Sequence, residues 1–330
     1  MFTVGSTALP HRGKSDAFVL GLDGATGSPI WARSLGSTSD DSGADVAADA
    51  LRVCAVGHGG AALRDTGGKT HAGSGTDGFV AYYYTTGQLQ WVRRIGGSTG
   101  SDRTLGAAIN SMGDCYAAGA FAGTMSAGTT SHTAPTYATN AYVLRVSASN
   151  KVTASLVLGA KKNDVATDVA LAGSHVVVAG SYSEQPSQGP KLSKAIGHTD
   201  AFVLRLDADL MLDWYAVMGS ANADHARRVA VDTAGRVVLV GQVQGDVKYK
   251  TVAYKLVGSA DGFLARINTD GSLARFQGIA AQNSAVDALG VAAAGNSRYH
   301  VVGSYSGALS TYGLSSAGGR DGFWLRLQQP

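Results

Sequence analysis

Asp200-Ala201-Phe202-Val203-Leu204-Arg205-Leu206 opens with an acid, a small residue and an aromatic, then alternates apolar and other side chains. Alternation with a period of two is the pattern of a half-buried β-strand. The same phrase stands at Asp16-Ala17-Phe18, Asp77-Gly78-Phe79, Asn140-Ala141-Tyr142, Asp261-Gly262-Phe263 and Asp321-Gly322-Phe323. The six copies are 61, 63, 60, 61 and 60 residues apart, so the chain is a repeat and its unit is about 60 residues long.

Three other phrases keep step with this one. A run closing in glycine precedes it, at Cys54-Ala55-Val56-Gly57, Tyr116-Ala117-Ala118-Gly119, Val177-Val178-Ala179-Gly180, Val238-Leu239-Val240-Gly241 and His300-Val301-Val302-Gly303; Phe2-Thr3-Val4-Gly5 reads as a sixth. A strand centred on Trp31, Trp91 or Trp214 follows it, with Ala154 and the stretch 273–276 in the copies that lack tryptophan. A strand of small residues then opens the next copy, as in Val46-Ala47-Ala48 and Val229-Ala230-Val231. Turn chemistry joins the strands: Asn268-Thr269-Asp270-Gly271 and Asp232-Thr233-Ala234-Gly235 each place a glycine where a hairpin needs positive φ.

Four strands per 60 residues, repeated, predict an all-β fold. The expected form is a β-propeller of four-stranded blades with about six blade positions, a single domain over residues 1–330. Side-chain size predicts the order within a blade: small-residue strand innermost, then the glycine-closed strand, the aspartate–aromatic strand, and the tryptophan strand outermost. On this reading Met1-Phe2-Thr3-Val4-Gly5 starts inside a strand phrase, and Leu327-Gln328-Gln329-Pro330 stops where a hairpin is expected to begin. The expectation is either a ring closed by two three-stranded blades or a piece of a larger propeller.

Composition agrees. The 330 residues hold 45 glycines and 6 prolines; 45% are hydrophobic and 15% charged. That excludes a disordered chain and collagen. A net charge of +3, scattered along the chain, excludes a nucleic-acid binder, and no apolar run is long enough for a membrane helix. No secretory leader pattern opens the chain.

These phrases resemble the SBBP-type bacterial β-propeller repeat family. The best-matching copy runs from Asp200 through Trp214, Asp224 and Val229-Ala230-Val231-Asp232 to Gly241; the copy at Asn140 departs most, with no aspartate and no tryptophan. The resemblance implies an extracellular or cell-surface protein, usually a non-enzymatic part of a larger chain.

One aspartate recurs before each small-residue strand: Asp41, Asp102, Asp164 and Asp224, with Asn283 near the fifth place. Two readings compete. A ring of carboxylates near the axis would suit calcium, which takes several oxygen ligands. Alternatively, each aspartate accepts backbone N–H groups in its own turn, which explains one residue per repeat more simply. No other cofactor is expected. The connections between glycine-closed and aspartate strands, such as 119–140 and 181–199, are long and varied. They are the expected binding elements, for a protein or glycan partner.

Other motifs fail on context. Gly57-His58-Gly59-Gly60-Ala61-Ala62 has no helix after it to bind a nucleotide. Gly68-Lys69-Thr70 lacks the leading glycine of a phosphate loop. Gly96-Gly97-Ser98-Thr99-Gly100 has no helix to make a nucleophile elbow. The eight histidines show no zinc spacing. Cys54 lies three residues before its glycine and Cys115 four, so their side chains point to opposite sides of a strand, which argues against a disulfide. The expected function is therefore a non-enzymatic interaction module. The alternatives are a lyase or hydrolase acting at the axial face and a structural spacer in a longer repeat protein.

Overall fold

A computed structural model describes residues 2–5, 7–97, 100–249, 252–282, 284–295 and 297–328. The chain is all-β and divides into two compact units, Met1–Val157 and Leu158–Pro330. Antiparallel sheets recur with the repeat. Sheet 2 is Ser42–Ala48, Arg52–Gly59, Asp77–Tyr84 and Leu89–Ile95; sheet 3 is Arg103–Ile109, Cys115–Ala122, Thr139–Val146 and Val152–Leu158. Sheet 4 is Val165–Ala172, His175–Tyr182, Asp200–Leu206 and Leu212–Met218; sheet 5 is His225–Val231, Val237–Val243, Asp261–Ile267 and Leu273–Ile279. Sheet 6 has three strands, Val286–Ala293, Arg298–Tyr305 and Asp321–Gln328. In each, the strands neighbour one another in chain order, so the sequence order of phrases is also the order across the sheet.

Sheet 1 differs. It holds Ala17–Leu22 and Pro29–Gly36, and is extended past the latter by Ala62–Asp65 and Thr70–Ala72. Phe2–Val4 is not a glycine-closed second strand; it pairs with Thr7–Leu9 in a hairpin of its own. The spacing carried that signal. Glycine leads aspartate by 18–21 residues in the other five copies, but Gly5 leads Asp16 by 11.

The long connections also depart from expectation. Most hold a short hairpin: Ala62–Asp65 with Thr70–Ala72, Thr124–Ala127 with Thr130–Thr133, Val247–Tyr249 with Val252–Tyr254, and Ala308–Leu309 with Leu314–Ser315. Each hairpin buries an apolar side chain in the same cluster as a residue near the end of the preceding tryptophan-position strand: Leu63 with Leu35, Met125 with Ile95, Val247 with Met218, and Leu309 with Ile279.

The tryptophan strand reaches across to the next sheet. Trp31 Nε1 donates to the Thr85 carbonyl at 2.8 Å, Trp91 to Ala148 at 2.9 Å, and Trp214 to Thr269 at 2.9 Å. Each acceptor lies in the turn between third and fourth strands of the following sheet. Gly271, at φ 81°, sits under Trp214 so closely that a Cβ would meet the indole at 2.9 Å. Positive φ and the ring together demand glycine there.

Cys54 and Cys115 form a disulfide with Cα atoms 6.2 Å apart, against the sequence expectation. The two strands lie in different sheets stacked face to face. Cys54 shares a cluster with Val56 and Tyr82 on the face of sheet 2 turned to sheet 3; Cys115 and Ala117 belong to the same cluster from the other side. Opposite parity within a sheet becomes direct apposition between two sheets.

Candidate functional site

The four candidate aspartates are all buried. Each has one oxygen on its own turn and, with the other, holds the residue that leaves the second strand. Asp41 accepts from Ser37 N at 2.5 Å and Gly60 N at 2.8 Å. Asp102 accepts from Gly97 N at 3.2 Å and Ala122 N at 2.8 Å. Asp164 accepts from Ala160 N at 2.9 Å and Ser183 N at 3.0 Å, and Asp224 from Ser220 N at 2.5 Å and Gln244 N at 2.9 Å. Burial pushes Asp102 and Asp164 up to about 6, against the pull of those N–H groups. Asn283 lies outside the described residues. The fifth copy's equivalent place holds Val286, whose N–H reaches Ala260 O at 2.9 Å as Asp224 N reaches Thr199 O at 2.7 Å. Among the described residues no three His, Cys, Asp or Glu side chains are grouped to hold a metal.

A second set of carboxylates orders the other end of the same connections. Asp16, Asp261 and Asp321 accept from the backbone four residues earlier, at Arg12 (3.0 Å), Val257 (2.8 Å) and Ala317 (2.6 Å). Asp200 does the same with Ile196. The turns they fold carry exposed apolar side chains. In the second unit Ile196 and Val257 occupy the same place in successive copies, 57% and 51% exposed. In the first unit Tyr137, three residues before Asn140, is fully exposed at φ 65°.

The small-residue strands carry more charge than their name implies. Each has a β-bulge at one place, between Gly43 and Asp45, Thr104 and Gly106, Ala166 and Asp168, Ala226 and Arg228, and Ala288 and Gly290. In the second unit the bulge gathers polar groups. Arg227 grips Asp287 with two bonds, of 3.1 and 3.0 Å. Arg228 lies 3.5 Å from Asp168, whose other oxygen accepts from Val229 N at 2.8 Å. His225 stands beside them, and its own burial, then Arg227, hold its pKa below the ordinary value. In the first unit Asp45 repeats the bulge contact, accepting from Ala107 N at 2.9 Å. The adjacent pair Arg227-Arg228, in a chain poor in charge, was the available signal for this cluster.

Other motifs fall into place. His58 and Gly59 continue the second strand of sheet 2, with no helix after them, and Gly68-Lys69-Thr70 turns a hairpin. Ser98 and Thr99 lie outside the described residues. Among the described residues no helix is long and apolar enough to cross a membrane.

No family model and no curated protein matches the chain. Among solved structures it is similar to a protein of unknown function from Bacteroides caccae, at a TM-score of 0.46 and 8% identity, over 89% of this chain and 80% of that one.

Proposed function

We propose that the repeated sheets are blades of an SBBP-type β-propeller, and that the protein is a non-enzymatic, extracellular interaction module. It binds a protein or glycan with the face that carries the connections between second and third strands. The observation that supports this is the pairing of order with exposure at Tyr137, Ile196 and Val257. Carboxylate bonds fix the turns before the third strands at Ile196 and Val257, yet those side chains face water. Tyr137 also holds a left-handed backbone that tyrosine rarely adopts. Ordered, exposed apolar and aromatic side chains are the usual anchors of binding surfaces. The Cys54–Cys115 disulfide suits an oxidising compartment, where such bonds persist.

The test is binding of the intact protein to glycan and surface-protein arrays, repeated with the double variant I196S/V257S. A recognised ligand is expected to lose at least about tenfold in affinity, as anchor residues do, with the melting temperature unchanged. Equal binding by the variant, or no ligand on any array, removes this reading.

A second reading, a hydrolase or lyase at the small-residue strands, draws on the His225, Arg227 and Asp287 group. It requires that a turnover found on a substrate panel vanish in H225A; turnover unchanged by that variant excludes this group.

A further inference from the structure

We infer that the cleft between the hairpin of Ala62–Asp65 and Thr70–Ala72 and the end of the Asp77–Tyr84 strand binds an acidic sugar unit, with Arg33, Lys69 and Tyr83 holding its carboxylate or sulfate ester. The cleft is about 400 Å³, the size of a small-ligand site. Arg33 enters from the tryptophan strand of sheet 1, Asp65, Lys69 and His71 from the hairpin, and Tyr83 from the third strand of sheet 2.

Tyr83 is the first mark of a ligand. It is 1% exposed, yet no hydrogen bond joins its hydroxyl to a described residue. Tyr82, Tyr142, Tyr182 and Tyr299, equally buried, bond through theirs to Gly113, Thr104, Ser193 and Asp232. A buried hydroxyl left unbonded destabilises a fold. Nor does the repeat ask for one here. Six residues after the leading aspartate or asparagine, the other copies hold Leu22, Val146, Leu206, Ile267 and Leu327, all aliphatic. Burial, then the charge of Asp65, raises the Tyr83 pKa while Arg33 opposes them, so the hydroxyl lies beside two charged groups that line the cleft.

The remaining donors fix the ligand's charge. Arg33 spends Nε on the Gly87 carbonyl and Nη1 on the Ala32 carbonyl, both at 2.7 Å, and Nη2 has no acceptor among the described residues. Its counterpart Arg93, two residues after Trp91, spends both Nε and Nη2 on Asn150. Lys69 Nζ has no ion-pair partner among the described residues. The carboxylate in the lining does not compete for these cations: Asp65 takes Lys69 N at 3.1 Å on one oxygen and faces His71 Nε2 at 3.0 Å with the other. A guanidinium nitrogen, an ammonium and a phenol without an acceptor select an oxyanion. The cleft is larger than a single inorganic ion fills, and the amide of Gln90, exposed in its lining, suits ring hydroxyls. Neither Ile196 nor Val257 takes part.

The probes are glucuronate and a sulfated glucose, with glucose and inorganic sulfate as controls, titrated calorimetrically into the intact protein at constant ionic strength. At least one acidic sugar is expected to saturate and to bind at least about tenfold more tightly than either control. Which of the two binds tells carboxylate from ester. Tyr83→Phe should weaken that binding at least about tenfold and Lys69→Ala about threefold, with I196S/V257S unchanged. Without ligand, Y83F should melt no lower than the parent, because it removes only an unbonded polar group. Saturation by neither acid, equal binding of glucose, or full affinity in Y83F or K69A overturns the proposal. So does sulfate binding as tightly as the sugars, which would mean an adventitious ion only, and so does a loss in I196S/V257S, which would place the ligand elsewhere. A lower melting temperature of ligand-free Y83F also overturns it, since the hydroxyl would then serve the fold.

Discussion

Asp164 shows what a single side chain does in this chain. One oxygen holds Ala160 N in the turn before the first strand; the other holds Ser183 N, nineteen residues on, as the second strand ends. Leaving a buried N–H without its acceptor costs about 1–3 kcal/mol. Asp164→Ala strands two such groups and is expected to lower the unfolding free energy by about 2–5 kcal/mol, measured by denaturant titration. The same geometry bears on calcium. Both oxygens of Asp41, Asp102, Asp164 and Asp224 already face backbone donors. Calcium raised to about 10 mM, above the range of weak extracellular sites, is therefore expected to leave the melting temperature unchanged. A rise abolished by Asp224→Asn would restore the carboxylate-ring reading. The disulfide closes a 61-residue separation, and reduction or Cys54→Ser is expected to cost about 4 kcal/mol through the unfolded chain's regained freedom.

At the scale of elements, the hairpins between second and third strands do two jobs. Their apolar plugs close the preceding sheet, while the turns that follow carry the exposed residues. Leu63 and Met125 are completely buried, so Leu63→Ala or Met125→Ala is expected to cost about 2–5 kcal/mol. Tyr137→Ala, a few residues beyond the Thr124–Thr133 hairpin, should change stability by less than about 0.5 kcal/mol. Alanine changes spread over 119–140 will thus mix folding and binding effects unless they are chosen by burial. Sequence reading marked the segment as long and varied but could not tell plug from exposed tip, because an isolated buried methionine or leucine has no periodicity to betray it.

At the scale of the molecule, buried carboxylates recur from sheet to sheet and set the response to pH. Burial raises Asp102, Asp164 and Asp200 from the ordinary 3.8 to about 6, and raises Asp224 as well. Between those two values the folded state holds more protons than the unfolded one, so these groups add stability as the pH falls through about 6 towards 4. Asp232 acts in the opposite sense. Against its burial, bonds from Arg236, Ala234 and Tyr299 hold it below 3.8, and the stability it contributes is lost only in stronger acid. The melting temperature is therefore expected to peak between about pH 4 and 6. A monotonic fall from pH 7 downward would contradict this, and Asp164→Asn should flatten the rise.

Local chemistry alone determined the strands, their order within a sheet and the turns between them. Alternation places a strand, Asn268 to Gly271 closes one, and the 60-residue spacing repeats the unit, because each depends only on residues near in the chain. Tertiary structure decided everything that depends on which faces meet. It turned the opposite parity of Cys54 and Cys115 from an objection into a bond, because their strands lie in sheets stacked face to face. It also placed Leu63 and Met125 as plugs, and drew Arg227 to Asp287 across two sheets. Those contacts join residues about thirty to sixty positions apart, or turn on one residue of register, and no local pattern encodes which surface a neighbouring sheet will cover.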